Sequence, residues 1–302
     1  MSLLILGTVA FDTIETSFGK AEKILGGAAT FTSITSSYFT KANILSIVGY
    51  DFPEEYIKLL EKHNINLDGL EIHKQEKTFF WSGKYREDMN IRDTIDTQLN
   101  VLGLFNPIIP KKRLEPDFLM LGNVIPSVQL QVFNQITKKP KLVAMDTMNL
   151  WIENSHDDLI KIIKKVDLLM INDQEIKELN NETNLELAIE KTFEFGLNFI
   201  IVKMGSEGAL LISKEGSRFK CPAVNVKNVI DPTGAGDSFA GGFMGHISSV
   251  KNVSFNDMKY AVCWGTVMAS YCVEDFGTKN IIELDIKSYN TRYDNLIKTI
   301  SL

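Results

Sequence analysis

The chain has 302 residues, of which 44% are hydrophobic and 23% charged, and it carries a formal net charge of −6. That length suits one large α/β domain with a small appendage, and the acidic balance argues against nucleic acid as a partner, since backbone-phosphate binders need a basic face. Three cysteines (Cys221, Cys263, Cys272) without C-x-x-C spacing suggest neither a disulfide framework nor a zinc site.

Leu3–Leu6 reads as a buried first strand ending at Gly7. No basic leader precedes it, its apolar run is too short for a signal peptide, and no later run approaches the roughly 18 apolar residues that span a membrane. A reducing cytoplasm is therefore the expected setting, in which the sequons at Asn181 and Asn252 are irrelevant and Cys263 and Cys272 are core thiols. Gly26-Gly27-Ala28-Ala29-Thr30 opens a helix through about Tyr38. Lys41–Val48 is a second strand, and Glu54–His63 a polar-faced helix.

The stretch Thr78–Leu99 breaks this rhythm. Two alternating runs, one with Phe79, Trp81, Gly83 and Tyr85 and one from Arg92 to Leu99, flank a turn at Glu87-Asp88-Met89-Asn90, which predicts a β-hairpin. The hairpin belongs to a small sheet laid over the main domain, with Leu67–His73 and Val9–Phe18 as candidate further strands.

After Pro107 the alternation is regular. Strands are expected at Phe118–Leu121, Lys141–Asp146, Leu168–Asn172, Phe199–Lys203, Ala209–Ser213 and Val224–Val229. Helices are expected at Pro126–Gln135, Leu159–Val166, Asp173–Leu179 and Glu186–Phe195. Short apolar strands between amphipathic helices imply a mainly parallel sheet covered on both faces. In such sheets ligands bind beyond the carboxyl ends of the strands. Asp146, Asn172, Lys203-Met204-Gly205 and a glycine loop all fall at those ends.

That loop, Asp231-Pro232-Thr233-Gly234-Ala235-Gly236-Asp237, is the most informative stretch, and an apolar helix follows it directly. Bare backbone N–H groups and the positive end of a helix make a pocket for an anion such as phosphate. A carboxylate at its mouth, Asp237, is most useful as a base that takes a proton from an attacking hydroxyl. Read alone, the loop is equally an ordinary glycine turn with a helix cap. The chain has no G-x-x-x-x-G-K-[ST] loop, no G-x-G-x-x-G after its first strand, and no H-R-D to accompany Asp275-Phe276-Gly277. None of the four histidines has a partner at metal-ligand spacing.

Over nearly its whole length the sequence resembles the ribokinase-like (PfkB) sugar kinases. The glycine loop matches their D-[TP]-x-G-A-G-D-x-F motif, Gly26-Gly27 their N-terminal glycine pair, Asn172-x-x-Glu175 their N-x-x-E element, and Val202-Lys203-Met204-Gly205-x-x-Gly208 their nucleotide-side strand and turn. The resemblance implies a three-layer αβα sandwich spanning residues 1–302, with a mainly parallel central sheet and a β-sheet lid from segments of about 9–18 and 67–104. It implies ATP and Mg²⁺ as cofactors, with K⁺ as a further candidate.

The resemblance also assigns roles. Asp237 would be the catalytic base, and the amides of Gly234, Ala235 and Gly236 the anion hole for the transferred phosphoryl group. Asn172 and Glu175 would hold water around Mg²⁺, or be a helix cap and a surface acid. Gly205 and Gly208 would let the nucleotide approach the backbone; Lys203 would neutralise phosphate or end a strand in solvent. Asp231 and Thr233, with the region around Gly277, resemble a monovalent-cation loop. Asp12 would grip two sugar hydroxyls, or be a turn aspartate, and Gly26 and Gly27 would admit a sugar against the backbone. Phe31 stands where the family usually carries a sugar-binding asparagine, which points to a bulkier or flatter acceptor. Phe79, Trp81 and Tyr85 would stack on a ring, or form an apolar lid face or dimer contact; Arg86 and Arg92 would reach an anionic group, or be solvated. The expectation is an ATP-dependent kinase acting on a hydroxymethyl group of a sugar or sugar-containing molecule. A nucleoside acceptor and a non-catalytic sugar or nucleotide sensor are the alternatives, and the exposed sheet of the lid suggests a homodimer.

Overall fold

The protein is described by a computed structural model covering residues 2–89, 91–250 and 253–300; Asn90 of the hairpin turn and the Asn252 sequon lie outside the described residues. In chain order, β1 (Leu3–Leu6), β2 (Ala10–Thr16) and β3 (Gly19–Gly26) precede α1 (Ala28–Ser37) and β4 (Ala42–Val48). Then come α2 (Glu54–Lys62), β5 (Ile65–Ile72), β6 (Phe80–Tyr85), β7 (Arg92–Gln98), β8 (Phe118–Leu121), α3 (Pro126–Gln135) and β9 (Leu142–Asp146). They are followed by α4 (Asn149–Asn154), α5 (His156–Ile163), β10 (Leu168–Asn172), α6 (Asp173–Leu179), α7 (Leu185–Phe193) and β11 (Phe199–Lys203). The chain closes with β12 (Ala209–Ser213), β13 (Arg218–Cys221), α8 (Ala235–Ser249), α9 (Phe255–Cys272), α10 (Lys279–Ile282) and α11 (Ile286–Ile297).

Among the described residues, nine strands form the main sheet in the order β13-β12-β11-β10-β9-β8-β1-β4-β5. Pairing is parallel from β5 across to β11, while β12 and β13 run antiparallel at one edge. Alternate residues of each strand feed two different cores. Leu3, Ile5, Phe118, Met120, Leu142 and Ala144 pack with Phe243 and Val267 on one face. Leu4, Leu6, Leu119, Leu121, Val143 and Met145 pack with Val132 and Ile162 on the other. Burial on both faces is why these strands read as unbroken apolar runs. The result is the expected three-layer sandwich.

The lid is a four-stranded sheet in the order β3-β2-β6-β7. Two expectations fail, and one lid strand was not foreseen. The run Leu67–His73, assigned to the lid, falls in β5, which pairs parallel to β4 at the edge of the main sheet. Its half-exposed pattern is that of an edge strand, and this mimics a lid strand. The lid instead gains β3, whose first six residues face solvent wholly or in part and so carry no apolar signal. The run Val224–Val229 is a loop without a ladder partner, and Arg218–Cys221 supplies the edge strand beside β12.

Candidate active site

The glycine loop is built as the cap of α8. Gly234 is the N-cap with φ 76°, and a Cβ there would meet the Phe31 ring at 2.5 Å. The helix therefore begins at Ala235, earlier than the sequence suggested, and Asp237 sits in its first turn. Ser238 N–H closes the first helical bond to Gly234 O at 2.7 Å. Ala235 N–H is spent on Pro232 O at 3.1 Å, so it does not belong to an anion hole. The N–H groups of Gly234, Gly236 and Asp237 have no acceptor among the described residues. These unspent donors, at the positive end of a 15-residue helix, are of the kind that suits an anion.

Asp231 holds the loop from below. Fully buried, it accepts Thr233 N–H at 2.8 Å on one oxygen and Gly277 N–H at 2.9 Å on the other. Burial pushes its carboxyl up against these two bonds. Each oxygen accepts one amide, so Asp231 clamps its own loop to the one that carries Gly277. Thr233 turns its side chain to the lid, where its hydroxyl donates to the Tyr85 oxygen at 3.1 Å. Tyr85 is buried, so it is a structural tie and not a stacking surface.

Asp237 is half-buried, and its carboxyl is pushed up to about 7. Burial is the main cause and the negative Asp146 adds to it, while Lys203 and Arg92 oppose. Asp146 and Lys203 end β9 and β11, on either side of β10. The Lys203 ammonium sits 2.8 Å from both carboxylate oxygens of Asp146, and 3.0 Å from where a Gly236 Cβ would stand. Burial pulls the Lys203 pKa down, but Asp146, Glu175 and Asp237 together outweigh it and leave it raised. Lys203 is thus neither a solvated strand end nor a free cation.

Asn172 and Glu175 form a capping box on α6: Glu175 N–H donates to Asn172 Oδ1 at 2.7 Å, and Asn172 N–H to Glu175 Oε2 at 3.0 Å. The other Glu175 oxygen has no protein partner among the described residues. Its carboxyl is pushed up to about 7 by burial above all, with Asp146 adding and Lys203 opposing. Among the described residues no group of three His, Cys, Asp or Glu side chains could hold a metal by itself. The free Glu175 oxygen does fit a hard cation that arrives with phosphates and keeps its own water.

On the opposite side, Asp12 is buried in β2, and burial and then Asp231 push its carboxyl up to about 7. The glycines beside it serve the protein's own atoms. A Cβ at Gly26 would collide with the Asp12 carboxylate, and one at Gly27 would meet Thr8 O at 2.5 Å. Thr8 in turn caps α1, accepting Ala29 N–H at 2.9 Å and Ala28 N–H at 3.0 Å. The pair makes room for Asp12 and Thr8. Phe31 is 1% exposed with its ring under Gly234, so it shapes the loop and does not face an acceptor.

Gly208 has a packing reason of the same kind. With φ 93°, its Cβ would collide with the Cys221 carbonyl, so the missing side chain lets β13 pass. Gly208→Ala is expected to cost about 2–4 kcal/mol in urea denaturation. Gly196→Ala, at φ 99° with nothing within 4 Å of the new methyl, should cost only about 1 kcal/mol. Gly205 opens a short 3₁₀ turn before Gly208, closed by Gly208 N–H on Gly205 O at 3.1 Å.

From the lid, the positive charge of Arg92 on β7 weakly opposes the rise at Asp12, Glu175 and Asp237. Arg86 instead forms a two-pronged pair with Asp93 at 2.7 and 2.9 Å on the exposed surface. Phe79 packs on one core, and Trp81 lies half-buried with the Arg92 guanidinium 5.8 Å from its ring centroid.

Residues 11–284 match the sequence model of the pfkB family carbohydrate kinases. The chain is 26% identical over 251 residues to a cytidine kinase of Thermococcus kodakarensis, covering 81% of this chain and 87% of that protein. It is 28% identical over 262 residues to a nucleoside kinase of Methanocaldococcus jannaschii, covering 85% and 82%. The crystal structure of Methanocaldococcus jannaschii nucleoside kinase aligns with TM-score 0.78 at 22% identity, over 97% of this chain and 98% of that one. Burkholderia thailandensis nucleoside kinase in complex with inosine aligns with TM-score 0.80 at 17% identity, over 98% of each chain. The family match spans most of the chain and includes the loop that caps α8, and the protein belongs to the pfkB family of carbohydrate kinases, ATP-dependent phosphotransferases with an alcohol group as acceptor.

Proposed function

We propose that the protein moves the γ-phosphoryl group of ATP to a hydroxymethyl group of a nucleoside. The observation that carries the transfer step is the first turn of α8: three unspent amides beside a carboxylate whose proton is held near neutrality. Asp237 takes the proton of the attacking hydroxyl. The amides of Gly234, Gly236 and Asp237 receive the charge that develops on the transferred group. Asp12 accepts hydrogen bonds from acceptor hydroxyls. ATP with Mg²⁺ would supply the activated phosphoryl group, and the free oxygen of Glu175 would hold a water of the metal. Tyr85, bonded to Thr233, ties the lid to the glycine loop, and a closed lid keeps water from competing as acceptor.

The choice of a nucleoside over a free sugar is supported by the relatives named above. The route to it through Phe31 lapses because that ring is buried. A half-buried Trp81 on the lid remains a surface against which a base can stack. The test is ADP release from ATP with a panel of ribonucleosides, pentoses, hexoses and inositols. At least one ribonucleoside should exceed every free sugar by about 10²-fold in kcat/KM. A pentose or hexose at the head of the panel would move the acceptor to a free sugar. Tight binding of any panel member without ADP release would favour a sensor.

A further inference from the structure

The geometry points to Asp146 as the residue that positions Lys203 against the phosphoryl group being transferred. Asp146 ends β9 and is buried, with its backbone and side chain both tied down. Gln129 on α3 donates through its amide to the Asp146 carbonyl at 3.1 Å and to the Gly122 carbonyl at 2.9 Å, stapling the ends of β9 and β8. Thr147 N–H donates to Asp146 Oδ1 at 2.9 Å. The carboxylate so fixed takes two of the three ammonium protons of Lys203, at 2.8 Å each. The third proton has no acceptor among the described residues, and the ammonium lies 3.0 Å from where a Gly236 side chain would begin. One proton of a largely buried cation is therefore left for a ligand beside the unspent amides of α8.

The competing partners of Lys203 explain why such a holder is needed. A lysine side chain is long and flexible, and Glu175 and Asp237 also attract this one. Released from Asp146, the ammonium would pair with Asp237 and occupy the base, or with Glu175. Two bonds to Asp146 keep it clear of both and aimed at the pocket. In this assignment Asp146 acts through Lys203.

This inference rests on the phosphoryl-transfer reading, and its test separates the two. Binding of a non-hydrolysable ATP analogue and of AMP is measured by calorimetry without acceptor, for the native protein, Asp146→Asn, Lys203→Met and the double variant. Asp146→Asn should weaken the analogue by about 10- to 100-fold, the range of a charge-assisted bond, and leave AMP within about 2-fold. The KM for ATP should rise while that for the acceptor stays within about 3-fold. The double variant should lose no more than Lys203→Met alone. Should Asp146→Asn not fold, Asp146→Glu keeps the charge but shifts the ammonium, and should show the same analogue-specific loss. Equal losses for AMP and the analogue, unchanged analogue binding, or additive losses would overturn the assignment. A native protein that never consumes ATP would instead remove the phosphoryl-transfer reading itself.

Discussion

Asp237→Asn should lower kcat by about 10³-fold and, at pH 8, raise the melting temperature of the ligand-free protein. The first effect follows from losing the proton acceptor while the amides of α8 stay in place. The second follows from the buried charge. The Asp237 carboxyl is pushed up to about 7, well above the usual range for an unfolded aspartate near 4. Between those pH values the folded protein holds a proton that the unfolded chain has released, so stability falls as pH rises across that window and stays low above it. Asp12 and Glu175 add to this with the same sign, each pushed up to about 7 by burial. Asparagine has no charge to desolvate. The variant should melt roughly 2–5 °C above the native protein at pH 8, with the gap closing towards about pH 4.5. Scanning calorimetry at both pH values decides the point. A variant that melts lower at pH 8, or keeps most of its turnover, would contradict it.

Asp231→Ala should have the largest effect on the fold of the site, a loss of about 3–5 kcal/mol in urea denaturation. The substitution leaves two amides, the half-buried Thr233 N–H and the buried Gly277 N–H, without their acceptor. Each orphaned donor costs about 1–3 kcal/mol, and relief of the buried charge returns only part of that. The loop also loses the tie that aligns the cap of α8, so turnover should fall with stability. Asp231→Asn keeps one acceptor and should lose about half as much. If Asp231→Ala unfolds at the native urea midpoint, Asp231 is not a clamp.

The main sheet was legible because its strands are buried on both faces. That leaves apolar runs such as Phe118-Leu119-Met120-Leu121 and Leu168-Leu169-Met170-Ile171, each opened by an aspartate, Asp117 or Asp167. The lid was legible only where it alternates. The strand Gly19–Gly26 faces solvent along most of its length and looks like any polar loop, while Leu67–Ile72 imitates a lid strand because the sheet edge it occupies is half-exposed. The glycine loop could be read from its residue types only together with the other motifs, since alone it is equally an ordinary turn with a helix cap. The glycines were harder. Gly26, Gly27 and Gly208 are bare for the sake of Asp12, Thr8 and Cys221, partners whose proximity depends on the folded chain. Asp146 and Lys203 each stood at a strand end in the sequence, but their pairing across β10 is set by strand order alone.

The most direct test of the central claim is the pH dependence of kcat/KM for the native protein with its best acceptor. With Asp237 as base, kcat/KM should rise about tenfold per unit at low pH and level off with an apparent midpoint of about 7, a value that belongs to the coupled site carboxyls rather than to Asp237 alone. The residual activity of Asp237→Asn should lack the Asp237 contribution to that limb. A profile that is flat from about pH 5.5 to 8.5, or a limb unchanged in Asp237→Asn, would show that Asp237 does not accept the proton.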